Sequence, residues 1–99
     1  MKHFELMPHD RQKSYYGKAT VLVYDKFPGK AFLQSYSTIV CGIVGGEFKR
    51  YWTGYSATTQ KHINSFRILY GMRAIGKAEW LNTPVSKVNN DLYPTIVNK

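Results

Sequence analysis

The segment that decides the fold is residues 38–52, which read TIVCGIVGGEFKRYW. Its first seven residues are mostly apolar, as in a strand that is covered on both faces. The glycine pair that follows suits the positive φ angles of a two-residue hairpin turn. Beyond the turn, successive side chains alternate, so Phe48 lies on one face and Lys49 on the other. We therefore predict a β-hairpin with strands at about residues 38–44 and 47–52.

A second hairpin is predicted immediately before the first. Residues 18–24 and 31–36 are rich in β-branched and aromatic side chains, which favour strands. Between them, residues 27–30 read FPGK, and this pattern is typical of a turn because proline presets one φ angle and glycine permits a positive one. Two successive hairpins predict an antiparallel four-stranded meander.

The hydrophobic period changes after Gly54 from that of a strand to that of a helix. Apolar residues then recur at helical spacing over about residues 57–70, and Gly71 is a natural residue to follow the C-cap. A shorter helix is predicted near residues 77–82, ahead of Pro84. One long helix packed on one face of the sheet defines an α+β fold.

The length of 99 residues is enough for a single domain. From residue 86 onward the chain is polar, and this tail is either loosely ordered or packed on the body as an extended segment. No apolar run approaches the ~20 residues of a membrane span, and the N-terminus lacks the apolar core of a secretory signal. We therefore expect a cytoplasmic protein that does not associate with membranes. The oligomeric state stays open because a meander has two unpaired edges.

The charge of the chain is strongly positive and unevenly distributed. The net charge is +8, which favours polyanionic partners. No acidic residue occurs from Phe48 to Ala78, although this stretch contains six cations and six aromatic residues. Such a stretch is typical of a surface that binds nucleic acid or an acidic protein. The alternative is that the charge only keeps the protein soluble.

The last predicted strand is one candidate binding surface, because aromatic rings beside cations can stack bases and follow a phosphate backbone. A stacking platform requires Phe48, Arg50 and Trp52 to lie on an open face. If the two rings pack in the core instead, Lys49 and Tyr51 face solvent. Core packing of the rings is the arrangement that we favour.

The start of the long helix is the second candidate. A helix N-terminus exposes free N–H groups and the positive end of the dipole, and both attract phosphate. The candidate anion-binding residues here are Tyr55, Ser56, Thr58, Thr59, Lys61 and His62. Simple capping by a hydroxyl group is the alternative, and both can hold together. Across both candidates, the predicted phosphate contacts are Lys49, Arg50, Lys61, Arg67 and Arg73, with stacking from Tyr51 or Tyr55.

The sequence gives little support to catalysis or to a metal site. Six scattered acidic residues offer no carboxylate pair, and no third group orients His62 toward Ser56. The three histidines lack metal-ligand spacing, and Cys41 lies in an apolar stretch that would keep its thiol inert. We expect no catalytic residue, no metal and no cofactor.

Three segments of the chain are distinctive when taken together. They read KSYYGKA at residues 13–19, LQSYSTIV at 33–40 and GYSATTQKHINSF at 54–66. They resemble small uncharacterised proteins carried by phages, plasmids and other mobile elements of Gram-positive bacteria. The resemblance covers about residues 11–82, and its most specific part is the pattern YSxTTxxHINxF. It implies a bacterial cytoplasm shared with foreign DNA, and it brings no known activity or catalytic residue.

These observations lead to three functional hypotheses. The first is a non-enzymatic nucleic-acid-binding protein. The second is an inhibitor or counter-defence protein that binds an acidic host protein. The third is a protein that captures a small phosphorylated molecule at the start of the long helix.

Overall fold

A computed structural model describes residues 2–10, 12–24 and 29–88 of the chain. Within these residues, one antiparallel sheet with the strand order β1-β2-β3-β4-β5 is followed by two helices. The strands are β1 (Lys2–Glu5), β2 (Ala19–Val23), β3 (Ala31–Ser35), β4 (Thr38–Val44) and β5 (Glu47–Arg50), and the helices are α1 (Ala57–Leu69) and α2 (Lys77–Asn82). The predicted α+β class and antiparallel meander are confirmed.

The predicted number of four strands is wrong by one, because β1 pairs with β2 at the edge of the sheet. All four residues of β1 are exposed, and its sequence KHFE contains no β-branched side chain. Neither composition nor an alternation of polar and apolar residues therefore marks it as a strand. The last strand ends at Arg50, since the N–H groups of Tyr51 and Trp52 both donate to the carbonyl group of Val40.

The turn between β4 and β5 and the end of α1 have the predicted geometry. Gly45 and Gly46 have φ angles of 61° and 83°, as a primed hairpin turn requires. At the end of α1, Gly71 has a φ of 82° and its N–H group donates to Ile68. The next N–H group, that of Met72, reaches back to the carbonyl of Arg67 at 2.8 Å, which completes a Schellman motif.

Two other predictions fall partly or wholly beyond the described residues. The turn predicted at residues 27–30 begins in the segment 25–28, which lies outside them, as do residues 89–99 of the predicted tail. The described part of the tail returns to the sheet. Val85 forms a parallel bridge with Arg50, and the N–H group of Ser86 donates to the carbonyl of Arg50 at 2.7 Å.

The hydrophobic core lies between α1 and one face of the sheet. Ile63 and Phe66 of α1 join a buried cluster with Leu33 of β3 and Trp80 of α2. Cys41 belongs to the same cluster, so its expected burial is confirmed, and this burial raises the pKa of the thiol. This packing places the first turns of α1 beside the turn that joins β3 to β4.

Candidate functional site

Arg50, a predicted phosphate contact, is buried with only 4% of its surface exposed. Its guanidinium donates hydrogen bonds of 2.8–3.2 Å to four backbone carbonyl groups, those of Trp52, Thr53, Leu81 and Thr83. The Cζ atom also lies 4.8 Å from the ring centroid of Trp80. Arg50 therefore ties β5 to the end of α2, and a nucleic-acid strand has no access to its guanidinium.

The rest of the predicted stacking platform is divided between the two faces of the sheet. Phe48 and Trp52 are partly buried and pack against the core, as favoured from the sequence. Lys49 lies on the opposite face and forms an ion pair with Glu47 at 3.6 Å. Tyr51 packs beside Phe32 with the ring centroids 5.9 Å apart. No open platform of the predicted kind forms on β5.

Arg67, in the last turn of α1, and Arg73, just after the helix, are also engaged in packing. The Cζ atom of Arg67 lies 4.5 Å from the ring centroid of Phe48, and its Nε donates to the carbonyl of Arg73 at 2.9 Å. The guanidinium of Arg73 forms two hydrogen bonds with the carboxylate of Glu79, at 2.6 and 3.0 Å. These contacts hold the segment after α1 in place and lie away from the first turns of the helix.

The start of α1 is capped as one of the two sequence hypotheses proposed. Ser56 has extended backbone angles, and its Oγ accepts a hydrogen bond from the N–H group of Thr59 at 3.1 Å. The hydroxyl group of Thr59 is buried and lies 3.1 Å from Ser35 Oγ. Tyr55 packs against the core, with Lys77 Nζ 5.0 Å from its ring centroid.

Much of the pattern YSxTTxxHINxF is explained by these packing roles. The side chain of Asn64 accepts a hydrogen bond from the N–H group of Ile75 at 2.9 Å and donates one to the carbonyl group of Ile75 at 3.0 Å. Gln60 donates to the same carbonyl group at 3.1 Å. The side chains of this segment therefore anchor the chain after α1 onto the helix, in addition to any role in binding.

A cavity of about 330 Å³ opens beside the first turns of α1. It is lined by Gln12, Tyr15, Tyr16, Lys18, Tyr36, Thr58, Lys61 and His62. Four of these residues precede β2, one lies in the β3–β4 turn and three belong to α1. We call this cavity the tyrosine pocket. It includes Thr58, Lys61 and His62 from the predicted set.

Tyr16 and Tyr36 are the two non-glycine residues with a positive φ in the described chain, at 55° and 56°. A left-handed backbone costs a residue with a side chain roughly 1–2 kcal/mol, and for a bulky residue it is uncommon. Their side chains nevertheless remain 74% and 52% exposed. Strain of this kind tends to persist where function requires it.

Hydrogen bonds hold the two turns side by side. The N–H group of Tyr36 donates to the carbonyl of Lys18 at 2.7 Å. The carboxylate of Glu5 accepts from the N–H group of Gly17 and from the hydroxyl of Ser14, at 3.0 and 3.1 Å. Ser14 Oγ in turn accepts from the N–H group of Tyr16 at 2.8 Å. The strand β1, missed from the sequence, thus positions one wall of the pocket through Glu5.

Two lysines give the pocket its charge. Lys18 and Lys61 are exposed, and neither forms an ion pair with any of the described residues. Lys18 Nζ lies 5.8 Å from the ring centroid of Tyr36. The first turn of α1 contains no acidic residue, so its positive dipole end adds to the same field.

His62 lies at the buried side of the pocket, with 1% of its surface exposed. Its Nδ1 is 2.8 Å from Ser35 Oγ, and its ring packs edge-on against that of Tyr15, with the ring centroids 4.4 Å apart. Burial, with a smaller contribution from the charge of Lys18, lowers the pKa of His62 below its ordinary value. His62 is therefore a neutral polar group at pH 7.

The pair of Ser35 and His62 does not have the arrangement of a nucleophile and its base. Ser35 is 3% exposed and shares its hydroxyl group with Thr59, so a substrate cannot reach it. A catalytic histidine needs a third group, such as a carboxylate, to orient its ring. In the described structure, no carboxylate contacts His62. The pair links β3 to α1 and supports the wall of the pocket.

The comparisons with known proteins identify the family. The model of a family of unknown function, DUF8033, matches residues 4–82, and the chain belongs to this family. No curated protein and no solved structure gives a significant match. The matched region includes every residue that lines the tyrosine pocket.

Two further kinds of feature are absent from the part of the chain that the structure describes. Neither of the two helices in that part of the chain has the length and apolar character needed to cross a bilayer. Within residues 2–10, 12–24 and 29–88, no three His, Cys, Asp or Glu side chains are grouped so that they could hold a metal ion.

Five residues of the pocket were not predicted from the sequence, namely Gln12, Tyr15, Tyr16, Lys18 and Tyr36. A signal was present, because the three segments that carry the resemblance all reach this cavity. Residues 13–19, 33–40 and 54–66 supply every lining residue except Gln12. Within the acid-free stretch of residues 48–78, the fold uses many of the side chains predicted to bind for packing instead.

Proposed function

We propose that this protein is a non-enzymatic nucleic-acid-binding protein and that the tyrosine pocket is the centre of its binding surface. The observation that carries the proposal is that two exposed tyrosines surround one cavity with two lysines that form no ion pair with the described residues. Cations with nearby aromatic rings are the common equipment of proteins that bind single strands.

We expect the nucleic acid to contact fewer cations than the acid-free stretch of residues 48–78 indicates. Arg50 is buried, Arg73 is paired with Glu79, and Lys49 lies on the other face of the sheet. Lys18 and Lys61 are the cations that we assign to phosphate groups. Each contact adds about 0.7–0.9 to the slope of log affinity against log salt, so two contacts give a slope of about 1.4–1.8.

The size of the cavity favours a second candidate, the capture of a small phosphorylated molecule. A volume of about 330 Å³ is near the lower end of the ~300–1,000 Å³ that ligand pockets occupy. The same lysines and the start of α1 would hold the phosphate group. Identification of a compound released from the purified protein would favour this candidate.

We also propose, from the resemblance of residues 13–19, 33–40 and 54–66, that the protein comes from a phage or another mobile element. A counter-defence role against an acidic host protein is compatible with this origin. A pull-down from nuclease-treated host lysate separates the two roles. Recovery of one stoichiometric protein supports inhibition, whereas loss of all partners supports nucleic-acid binding.

Fluorescence anisotropy with labelled single-stranded DNA, single-stranded RNA and duplex DNA at ~50 mM salt tests the main proposal. Lys18→Gln and Lys61→Gln should each weaken binding and reduce the salt slope by about 0.7–0.9. The matched control is Lys87→Gln, since Lys87 is an exposed lysine outside the pocket. Absence of binding to all three nucleic acids, or equal effects of the three substitutions, would refute the proposal.

A further inference from the structure

We infer that the tyrosine pocket holds one nucleotide unit, with an unpaired base against Tyr16 and Tyr36 and its phosphate between Lys18 and Lys61. This inference rests on the proposed function and names the ligand of the same site. The ligand is a planar aromatic ring joined to a phosphate, whether it belongs to a strand or is a free nucleotide.

The tyrosines carry the first step of the argument. Both are exposed, both line one cavity, and both occupy a backbone conformation that glycine or asparagine would adopt at lower cost. The ring of Tyr36 lies 5.9 Å from that of His62, between centroids, yet about half of this tyrosine stays exposed. An exposed ring suits a planar ligand, because a base stacks on tyrosine whatever its identity.

The lysines define the other half of the ligand. Lys18 precedes β2 and Lys61 lies on α1, so the two ammonium groups approach the cavity from different elements. Lys18 also lies near the ring of Tyr36, at 5.8 Å from Nζ to the centroid. A phosphate group held by Lys18 would therefore lie close to Tyr36.

Polar groups around the pocket can meet the edge of a base. Thr58 is exposed on the first turn of α1, and Gln12 is an exposed residue that lines the same cavity. Gln12 Nε2 donates to the carbonyl of Ser14 at 2.9 Å, and its amide oxygen is an acceptor that a base could use. Hydrogen bonds of this kind add preference among bases to sequence-tolerant stacking.

A duplex does not fit this description. Its bases are paired and stacked, whereas a cavity of about 330 Å³ accepts one ring that is turned out of the strand. The inference therefore predicts that single strands bind more tightly than duplexes of equal charge.

The test uses oligonucleotides of equal length with and without bases. The full-length protein is titrated with a labelled single strand and with an abasic strand that carries the same number of phosphates. We expect the abasic strand to bind roughly 5- to 150-fold more weakly, which is the range of one stacked base. Equal affinities would overturn the inference and leave the nucleic-acid proposal standing.

Variants assign the effect to the pocket. Tyr16→Asn and Tyr36→Asn remove the rings but keep a residue that tolerates positive φ, so the turns should fold. Each should weaken binding of the normal strand and leave binding of the abasic strand unchanged. The control is Tyr70→Asn, since Tyr70 is an exposed tyrosine at the other end of α1. Equal effects of all three substitutions would contradict the inference.

A third arm separates the two sources of the ligand. Each of the four nucleoside monophosphates is titrated and followed by NMR. Binding of a monophosphate that depends on Tyr16, without binding of any oligonucleotide, would support the nucleotide site and refute the nucleic-acid function. Absence of binding in every arm would refute both.

Discussion

Arg50 shows how a single charged side chain can be a structural element. Its guanidinium satisfies four carbonyl groups at the junction of β5 and α2, and it lies over the ring of Trp80. The guanidinium of arginine has five donors spread over a rigid planar fork, whereas an ammonium group has three donors on a single nitrogen atom. Its positive charge therefore contributes to stability at a place where the sequence pattern indicated binding.

We expect Arg50→Lys to lower the free energy of unfolding by about 2–4 kcal/mol, because it leaves buried carbonyl groups without donors. Urea denaturation followed by circular dichroism measures this change. The control is Lys49→Gln, which removes a partly exposed ion pair and should change stability by less than about 1 kcal/mol. Similar losses for both variants would contradict the assigned role.

His62 makes the stability of the protein depend on pH. Its folded-state pKa is lowered by burial, so the unfolded chain takes up the proton first as the pH falls below the ordinary value of 6.5. Stability should therefore be complete above about pH 7 and decrease on acidification toward the folded-state pKa. Lys18, Tyr15 and Tyr36 face the ring, and the charge of Lys18 acts in the same direction.

Urea denaturation at several values between pH 7.5 and pH 5 tests this prediction. In His62→Gln the decrease over this range should be smaller than in the unmodified protein. The control is His3→Gln, since His3 lies on the exposed strand β1 and its replacement should keep the decrease. An unchanged pH dependence in His62→Gln would exclude His62 as its source.

At the scale of elements, the two tyrosine turns have left-handed backbone strain, which the proposed function would explain. Tyr36→Gly removes a left-handed strain of roughly 1–2 kcal/mol but adds unfolded-state entropy worth roughly 0.5–1 kcal/mol. We therefore expect this variant to be as stable as the unmodified protein, or up to about 1.5 kcal/mol more stable. Loss of the ring should nevertheless weaken binding.

Thermal and urea denaturation measure the stability of Tyr36→Gly. The control is Ser37→Gly, because Ser37 occupies the same turn without a positive φ and gains nothing from glycine. Its stability should fall by roughly 0.5–1 kcal/mol. A clear loss of stability in Tyr36→Gly would mean that the ring supports the fold, and the functional reading of the strain would then be wrong.

Elements with a clear period could be predicted from the sequence, and the edge strand could not. The hairpin at residues 38–52 and the helix at 57–70 have strong patterns and turn glycines, and both were found. The strand β1 has only exposed residues, so its pairing with β2 is decided by tertiary contacts. For the same reason, the sequence pattern does not predict that β1 supports the turn at Tyr16 through Glu5.

The site could be predicted only in part, for a different physical reason. The availability of a cation depends on partners that are distant in sequence, such as the carbonyl groups of residues 81 and 83 for Arg50. The left-handed backbone of Tyr16 and Tyr36 is a property of the folded turns. Only the part of the site on α1 follows from local pattern, and there Lys61 and Thr58 were selected.

At the scale of the whole molecule, the net charge of +8 indicates little about a partner until the position of each charged side chain in the fold is known. Packing and ion pairs engage Arg50, Arg67 and Arg73, whereas Lys18 and Lys61 remain available at one cavity. In the proposed function, the overall charge would supply long-range attraction that salt screens, and the pocket would supply local recognition. The two contributions can be separated because only the second depends on the tyrosines.

The most direct test of the central claim is an NMR titration of the isotopically labelled protein with a short single-stranded oligonucleotide. We predict that the largest chemical-shift changes fall on residues 12–18, on Tyr36 and on residues 58–62, which surround the tyrosine pocket. Changes centred on Lys49 and Tyr51, across the opposite face of the sheet, would contradict this account. So would an unchanged spectrum at low salt.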